Sequence, residues 1–224
     1  MEKQSFFLKE KKITCYLDNG PFIYRDSYVD DSEELFNLLK EENIPFSLIN
    51  ISHLSWNKDL TPYPIKEELF KGESFLGKGD EYLSFITQEL IPLIEKEIKP
   101  TYRILSGYSL GGLFSLYAGY KTNLFTKLSS SSGSLWYPSF VDFVRKNKMK
   151  EEVVEIKLSL GDKEDRTKNP LLKNVLKDTL AIVDILKEQK KAVSFTLNPG
   201  NHFKDNVKRE ALDLLYLLKS KDIK

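Results

Sequence analysis

Short runs of apolar residues alternate along the chain with longer segments in which apolar residues recur at helical spacing. Short apolar runs between turn residues predict buried strands, and the helical spacing predicts amphipathic helices. Alternating strands and helices are typical of a parallel sheet with crossover helices. The sequence therefore predicts an α/β fold with a mostly parallel central sheet and helices on both faces. The predicted strands are 13–17, 46–51, 102–106, 125–131, 153–160 and 192–197, and the predicted helices are 32–43, 80–98, 113–120, 140–146, 172–186 and 207–218.

The connection from residue 52 to 79 has no clear periodicity but contains several aromatic residues. A connection of this length within a compact domain is usually functional. No stretch is rich enough in Gly, Ser or Pro to separate domains, so we expect a single domain over residues 1–224 with no large lid domain.

Composition narrows the function classes. The 34 Lys and Arg residues nearly balance the 33 Asp and Glu residues, which leaves a net charge of +1 and argues against nucleic-acid or anionic-membrane partners. A single Cys excludes an internal disulfide, and with two His a metal centre is not expected. The sequence lacks a secretory signal and an apolar run long enough to span a bilayer. We expect a cytoplasmic protein, monomeric or homodimeric, without metal or cofactor.

The strongest chemical motif is Gly107-Tyr108-Ser109-Leu110-Gly111, a G-x-S-x-G pattern between a predicted strand and a predicted helix. In this context the pattern marks a nucleophile elbow, a tight turn whose flanking glycines avoid collisions between strand and helix. The turn places Ser109 at a helix N-terminus, which favours developing negative charge. We therefore predict that Ser109 is a nucleophile. The alternative is a plain glycine-tight turn.

A nucleophilic serine needs a base, and His is the usual one because its pKa lies near working pH. Of the two His residues, only His202 follows the elbow in the chain order Ser, acid, His that this motif implies. We predict His202 as the base. His53 is interpreted as a loop or pocket-wall residue.

The acid should follow a strand between the elbow and the base. Asp162, Glu164 and Asp165 lie directly after the predicted strand 153–160. A carboxylate there would hold the His tautomer and stabilise the imidazolium. The spacing after Gly161 favours Glu164, with Asp165 as the alternative.

An oxyanion hole needs two N–H donors, one of them from the residue after the nucleophile, Leu110. The second comes from the loop after an earlier strand. Because Pro21 has no N–H, the stretch Asn19-Gly20 is the favoured place for it.

Several of these segments together resemble the Putative esterase family of α/β-hydrolases, which includes siderophore esterases, feruloyl esterases, S-formylglutathione hydrolases and mycolyl transferases. The resemblance covers about residues 13–218 and implies an α/β-hydrolase fold without cofactor. It also implies that the amide near Gly20 helps to form the oxyanion hole. The segments that carry it are Gly107–Gly112, Ser132–Trp136, Gly161–Glu164, Asn201–Phe203, Asp59–Pro62 and Tyr16–Gly20, the last being similar to the family's Tyr-Leu-Leu-Asp-Gly.

The predicted function is a serine carboxylic-ester hydrolase that acts on a small-molecule ester, with a short acyl or an aromatic, polar group, through an acyl-enzyme. An acyltransferase or thioesterase with the same residues, and a catalytically silent binding protein of this fold, are the alternatives. Aromatic residues near the predicted site are candidates for substrate binding or for ordinary core. They are Trp56, Tyr63, Tyr108, Trp136 and Tyr137.

Overall fold

A computed structural model of the protein describes residues 2–65 and 72–220. Met1, residues 66–71 of the predicted functional connection, and residues 221–224 lie outside the described residues. The described strands are β1 (Lys3–Leu8), β2 (Lys11–Tyr16), β3 (Phe22–Asp26), β4 (Ser47–Ser52), β5 (Pro64–Ile65), β6 (Phe75–Leu76), β7 (Arg103–Tyr108), β8 (Lys127–Ser131), β9 (Glu155–Gly161) and β10 (Ala192–Asn198). The described helices are α1 (Ser32–Lys40), α2 (Trp56–Asp59), α3 (Gly79–Phe85), α4 (Ile91–Ile94), α5 (Leu110–Lys121), α6 (Phe140–Lys146), α7 (Val175–Glu188) and α8 (Asn206–Lys219).

Eight of the strands form one sheet in the order β1-β2-β4-β3-β7-β8-β9-β10. The strand β2 runs antiparallel to both of its neighbours. All pairs from β4 to β10 are parallel. The predicted fold class, a mostly parallel sheet in an α/β fold, is confirmed.

Helices cover both faces of this sheet and enclose two hydrophobic cores. The larger core lies between the sheet and the helices α3 to α7. The smaller core lies between the other face and the pair α1 and α8, with Leu35 and Leu39 from α1 and Leu214 and Leu217 from α8 fully buried. The apolar stripes at helical spacing therefore face the sheet.

Two strands of the eight-stranded sheet, β1 and β3, were not predicted from the hydrophobic pattern, and β3 is central; the short pair β5 and β6 was not predicted either. The strand β3 is five residues long, ends in Arg25-Asp26, and lies between β4 and β7. Charged residues normally indicate exposed positions. Both are buried here, and Arg25 is paired with Glu210 and Asp31. Tertiary pairing of these charges hides the strand from a reading of hydrophobicity alone.

The predicted helix 80–98 is interrupted, as Pro92 indicates. The α-helix α3 passes into a wider π turn at Ile86–Leu90 before α4 begins. Proline lacks the N–H that would continue the regular helical ladder. The break occurs within the segment that packs on the sheet, and Ile86, Leu90 and Ile91 stay buried.

The parallel strands bring their carboxyl ends to one edge of the sheet. Strand registers place Asp26 beside Gly107, and Tyr108 beside Ser131. The loops that follow β3, β7, β8, β9 and β10 therefore meet at this edge. In open α/β sheets this edge is where ligands bind.

Candidate active site

The turn between β7 and α5 has the geometry expected of a nucleophile elbow. Ser109 has φ 59° and ψ −119°, a conformation that non-glycine residues rarely adopt. A Cβ on Gly107 would lie 2.5 Å from the carbonyl carbon of Gly111, so the close approach of strand and helix requires glycine. The amide of Ser109 donates to the carbonyl of Ser131 at 3.1 Å. Strand β8 thus holds the elbow from the side.

The structure brings Ser109, His202 and Glu164 into one chain of hydrogen bonds. The Nε2 atom of His202 lies 3.1 Å from the Oγ of Ser109. The Nδ1 atom of the same ring lies 2.8 Å from the Oε2 of Glu164. These distances are within hydrogen-bond reach for a nucleophile, a base and an orienting carboxylate.

Glu164 is held as a buried carboxylate. Burial alone would raise its pKa, but hydrogen bonds from His202, Ser132 and the Gly161 amide together lower the pKa of Glu164 below its ordinary value. Ser132 Oγ donates to Oε1 at 2.7 Å, and the Gly161 amide donates to the same oxygen. Glu164 therefore accepts hydrogen bonds in its ionised form. The alternative acid, Asp165, has no side-chain contact with His202 among those described.

The loop that carries His202 is fixed by contacts from three elements. The hydroxyl of Tyr108 donates to the His202 carbonyl at 2.7 Å. The Nη2 of Arg209, a buried residue of α8, donates to the Pro199 carbonyl at 2.9 Å. The Gly200 amide donates to Asp162 Oδ1 at 2.7 Å. Arg209 and Ser132 were not predicted as site residues. Nothing in the spacing marks the charged helix position Arg209 as buried, and Ser132 was named only within a segment of the family resemblance.

The prediction that the Gly20 amide is an oxyanion donor is wrong. Its carbonyl accepts a hydrogen bond from Thr101, before β7 begins, whereas Ser109 follows the end of that strand. Six strand residues at ~3.3 Å each separate the two ends by roughly 20 Å. The segment Tyr16–Gly20 was matched to the wrong strand because β3 was not recognised.

The amide of Leu110, the other predicted donor, and the amide of Tyr28 are the candidates for the oxyanion hole. Leu110 opens α5, where the first amides have no partner within the helix. In the loop after β3, the Ser27 amide already donates a hydrogen bond to the carbonyl of Ile51. The next amide, that of Tyr28, has no hydrogen-bond partner within residues 2–65 and 72–220. Tyr28 and Leu110 line the same cavity as Ser109.

Three clefts meet at Ser109 and His202. The largest has a volume of about 660 Å³ and extends past Trp56, Phe75 and Trp136. A second, of about 330 Å³, lies towards Tyr28 and Tyr108, and a third, of about 150 Å³, lies beside Ser132 and Val175. Phe203 lines all of them and is 85% exposed. An aromatic side chain thus stands at the mouth of the site.

The aromatic predictions have mixed outcomes. Trp56, Tyr108 and Trp136 line the clefts. Tyr63 and Tyr137 line none of those clefts, and their prediction as substrate-binding residues is corrected. The Tyr137 hydroxyl donates to the Tyr63 carbonyl at 2.6 Å and the Tyr63 hydroxyl donates to the Pro138 carbonyl at 2.8 Å, so these two rings fasten the connection 52–79 to the loop after β8.

The histidine His53 lies outside the clefts, whereas two aromatic residues that were not predicted, Tyr28 and Phe203, line them. His53 packs against Phe7, with ring centroids 5.5 Å apart, and does not line the clefts described above. Tyr28 was missed because it follows the unrecognised strand β3. Phe203 was missed although it adjoins the predicted base, because a polar loop gave no reason to place an aromatic ring in a cavity.

The described residues hold neither a candidate metal site nor a membrane-spanning helix. Among the described residues, no group of three or more His, Cys, Asp and Glu side chains is placed to hold a metal ion. Within the same part of the chain, the helices are too short or too polar to cross a membrane.

A buried carboxyl lies directly beside the elbow. Asp26 ends β3 next to Gly107, and a Cβ added to Gly111 would lie 3.4 Å from the Cβ of Asp26. The Tyr82 hydroxyl donates to Oδ1, whereas Oδ2 has no hydrogen-bond partner among the described residues. Burial raises the pKa of Asp26 to about 8 despite the hydrogen bond from Tyr82.

The chain is similar to several known proteins. A family model described as "Putative esterase" matches residues 66–196. Uncharacterized protein YbbA of Bacillus subtilis (strain 168) is 32% identical over 199 residues, 80% of this chain and 79% of that protein. An IroE-like serine hydrolase from Shewanella oneidensis is 20% identical with a TM-score of 0.82, covering 97% of this chain and 80% of that chain. The siderophore hydrolase EstB from Aspergillus nidulans is 18% identical with a TM-score of 0.77, covering 96% and 94%. At these identities the two solved structures share the fold alone.

The raised pKa of Asp26 predicts a pH dependence of stability. The folded protein keeps a proton on Asp26 up to about pH 8 that the unfolded chain releases near pH 4, so this residue lowers the free energy of unfolding as pH rises between those values. Asp26→Asn stays neutral and should lose less stability between about pH 5 and about pH 7, by about 2.5 kcal/mol, since one pH unit in this range corresponds to ~1.4 kcal/mol. Urea denaturation at both pH values measures this difference. Asp142→Asn, at an exposed position, is the control, and parallel pH slopes for wild type and Asp26→Asn would contradict the prediction.

Proposed function

The chain belongs to the Putative esterase family, and on that premise we propose that it is a serine carboxylic-ester hydrolase working through an acyl-enzyme on Ser109. Membership of the family confirms the predicted enzyme class, a carboxylic ester hydrolase acting on small-molecule esters. The serine mechanism, the residue roles and the substrate preference are the proposal. The observation that supports it best is the hydrogen-bond chain from Glu164 through His202 to Ser109 at a junction of clefts.

Acylation begins when Ser109 Oγ attacks the ester carbonyl carbon. The Oγ proton passes to His202 Nε2, and Glu164 stabilises the imidazolium through its bond to Nδ1. The carbonyl oxygen gains negative charge, which the amides of Leu110 and Tyr28 are placed to receive. When the tetrahedral intermediate collapses, the imidazolium protonates the leaving alcohol. The product of this half is an ester of Ser109.

Deacylation repeats these roles with water as the nucleophile. Water gives its proton to His202 Nε2 and attacks the acyl carbon. The bond between the acyl carbon and Ser109 Oγ then breaks, its electron pair goes to Oγ, and His202 returns the proton there. The acid leaves and the enzyme is regenerated.

The walls of the clefts support a preference for short or aromatic acyl groups. Trp56, Phe75 and Trp136 line the largest cleft, and Tyr28 and Phe203 flank its mouth. Lys58 and Glu73, also in the lining, carry opposite charges, so there is no reason to expect selection for a strongly ionic ester. Burial of a long chain would need apolar surface for each methylene, worth ~0.8 kcal/mol apiece. Open aromatic clefts suit compact esters with polar substituents instead.

Ser109→Ala and His202→Ala should each abolish hydrolysis of p-nitrophenyl acetate, with losses of about 10³-fold or more, since the members of a triad act as a unit. Ser109→Ala should also lose labelling by a fluorophosphonate probe, which requires an activated serine. His53→Ala is the matched control, because it removes the other histidine outside the clefts. Circular dichroism verifies that each variant folds. Most of the activity surviving in either active-site variant would sink the proposal.

The choice of acid is tested by a pair of neighbouring isosteric variants. Glu164→Gln removes the charge that supports His202 and should lower kcat by about 10³-fold or more, as at other triads. Asp165→Asn should lower kcat by less than about threefold, since no contact links it to the ring. Steady-state kinetics on one activated ester measures both. The reverse ranking would transfer the role to Asp165, and two small effects would indicate a Ser–His dyad.

The substrate preference is tested with a series of esters. The kcat/KM for p-nitrophenyl esters should be highest for acetate or butyrate and fall towards palmitate, because the clefts that the described residues line are open. An aromatic acyl ester and a siderophore ester extend the panel, the latter because one solved structure of this fold is a siderophore hydrolase. A steady rise in kcat/KM from acetate to palmitate would show that the open-cleft interpretation is wrong.

A further inference from the structure

A second serine hydroxyl lies against the nucleophile. The Oγ of Ser134 is 3.2 Å from the Oγ of Ser109. Ser134 follows β8 in the loop 132–136 and is 2% exposed, and it lines two of the clefts that meet at Ser109. The mechanism described above assigns it no role.

Two main-chain hydrogen bonds hold the backbone of Ser134 beside the elbow. The Ser134 amide donates to the carbonyl of Ser109 at 2.9 Å, and the Ser134 carbonyl accepts from the Tyr137 amide at 3.1 Å. The Ser109 amide in turn donates to Ser131, so the elbow and the loop 132–136 form one interlocked unit. The main chain therefore places Ser134 beside Ser109, where the two hydroxyls meet.

The donor and acceptor roles of the His202 ring determine which of the two serine hydroxyls donates to the other. An ionised Glu164 can only accept, so His202 Nδ1 donates to it, and in the form of the ring that acts as a base Nε2 is the acceptor. Ser109 must then donate its own proton to Nε2. Its Oγ has only lone pairs to offer to Ser134, so Ser134 is the donor.

We propose that Ser134 is a further catalytic residue, which donates a hydrogen bond to Ser109 Oγ when that atom leaves the acyl carbon during deacylation. The inference rests on the proposed function of Ser109. In the acyl-enzyme Oγ is an ester oxygen and a weak acceptor. As the bond between the acyl carbon and Oγ breaks, the electron pair moves to Oγ and the proton comes from His202, while Ser134 keeps its own proton.

The gain from this bond differs between the two halves of the reaction. At 3.2 Å the contact is long for a hydrogen bond between hydroxyls. Bonds of this kind tighten when charge develops, and only interactions that are stronger in the transition state accelerate a step. In the resting enzyme the bond already exists, so acylation gains little from it. Deacylation starts from an ester oxygen and gains more.

Ser134→Ala should therefore slow deacylation by about 10-fold or more, a smaller loss than the ~10²–10³-fold for removal of a single oxyanion-hole donor, and slow acylation by less than about threefold. Excess enzyme is acetylated with p-nitrophenyl acetate, release of nitrophenolate gives the acylation rate, and intact-mass spectrometry of quenched samples follows loss of the acetyl group. In steady state the variant should show lower kcat and lower KM with little change in kcat/KM.

Two variants control for packing and for the hydroxyl itself. Ser129→Ala removes another buried serine hydroxyl, in β8, that has no hydrogen-bond partner among the described residues. This variant should leave both rates unchanged. Ser134→Thr keeps a hydroxyl, and the cleft of about 150 Å³ beside it has room for the methyl group, so it should restore most of the deacylation rate.

The outcomes separate this inference from the function on which it rests. A wild-type protein with neither ester turnover nor fluorophosphonate labelling contradicts the proposed function, and the inference falls with it. An active wild type with unchanged deacylation in Ser134→Ala overturns the inference alone. Equal losses in acylation and deacylation, or no rescue by Ser134→Thr, would show that Ser134 supports the shape of the elbow and would also overturn it.

Discussion

The close approach of β7 and α5 at Gly107 and Gly111 is the constraint on which the candidate site depends. The turn leaves no room for a Cβ at Gly107, and it holds Ser109 in a conformation with positive φ. Strain of this kind persists only where surrounding contacts enforce it. Here β8 and the loop after it supply those contacts, because Ser131 accepts from the Ser109 amide and Ser134 donates to the Ser109 carbonyl. The same contacts bring Ser134 beside Ser109.

The helix α8 ties the strand ends of the sheet to the histidine loop through three buried charged residues. Glu210 pairs with Arg25 of β3 and accepts from Ser106 of β7. Asp213 accepts from Ser131 of β8 and from Ser159 of β9.

Arg209 reaches the other way along the same helix. It donates to Pro199 in the histidine loop and lies near Glu164. Buried ion pairs are weak evidence for stability, but removal of one partner leaves a costly unpaired charge. The polar face of α8 is thus better understood as a device that aligns the strand ends and the loops that carry Ser109, Glu164 and His202.

The sequence by itself determined the features that depend on neighbouring residues. Steric limits in a tight turn require glycines at fixed offsets from Ser109, so the elbow is visible in a few letters. Alternating apolar runs and helical stripes predicted the parallel sheet, and chain order selected His202 over His53. The glycine spacing and the apolar patterns are short-range signals, chain order needs no spatial information, and the structure brings Ser109, His202 and the favoured acid Glu164 together.

Tertiary structure alone decided which distant residues meet. Strand register places the loop after β3, and not Gly20, at the edge that holds Ser109. Side-chain direction turns Glu164 towards His202, a choice that two adjacent carboxylates leave open in sequence. Burial of Arg25 and Asp26 hid the central strand, since a charge at a buried position is recognisable only when its partners are known. Contacts across the sheet depend on partners many residues apart, and no local pattern encodes them.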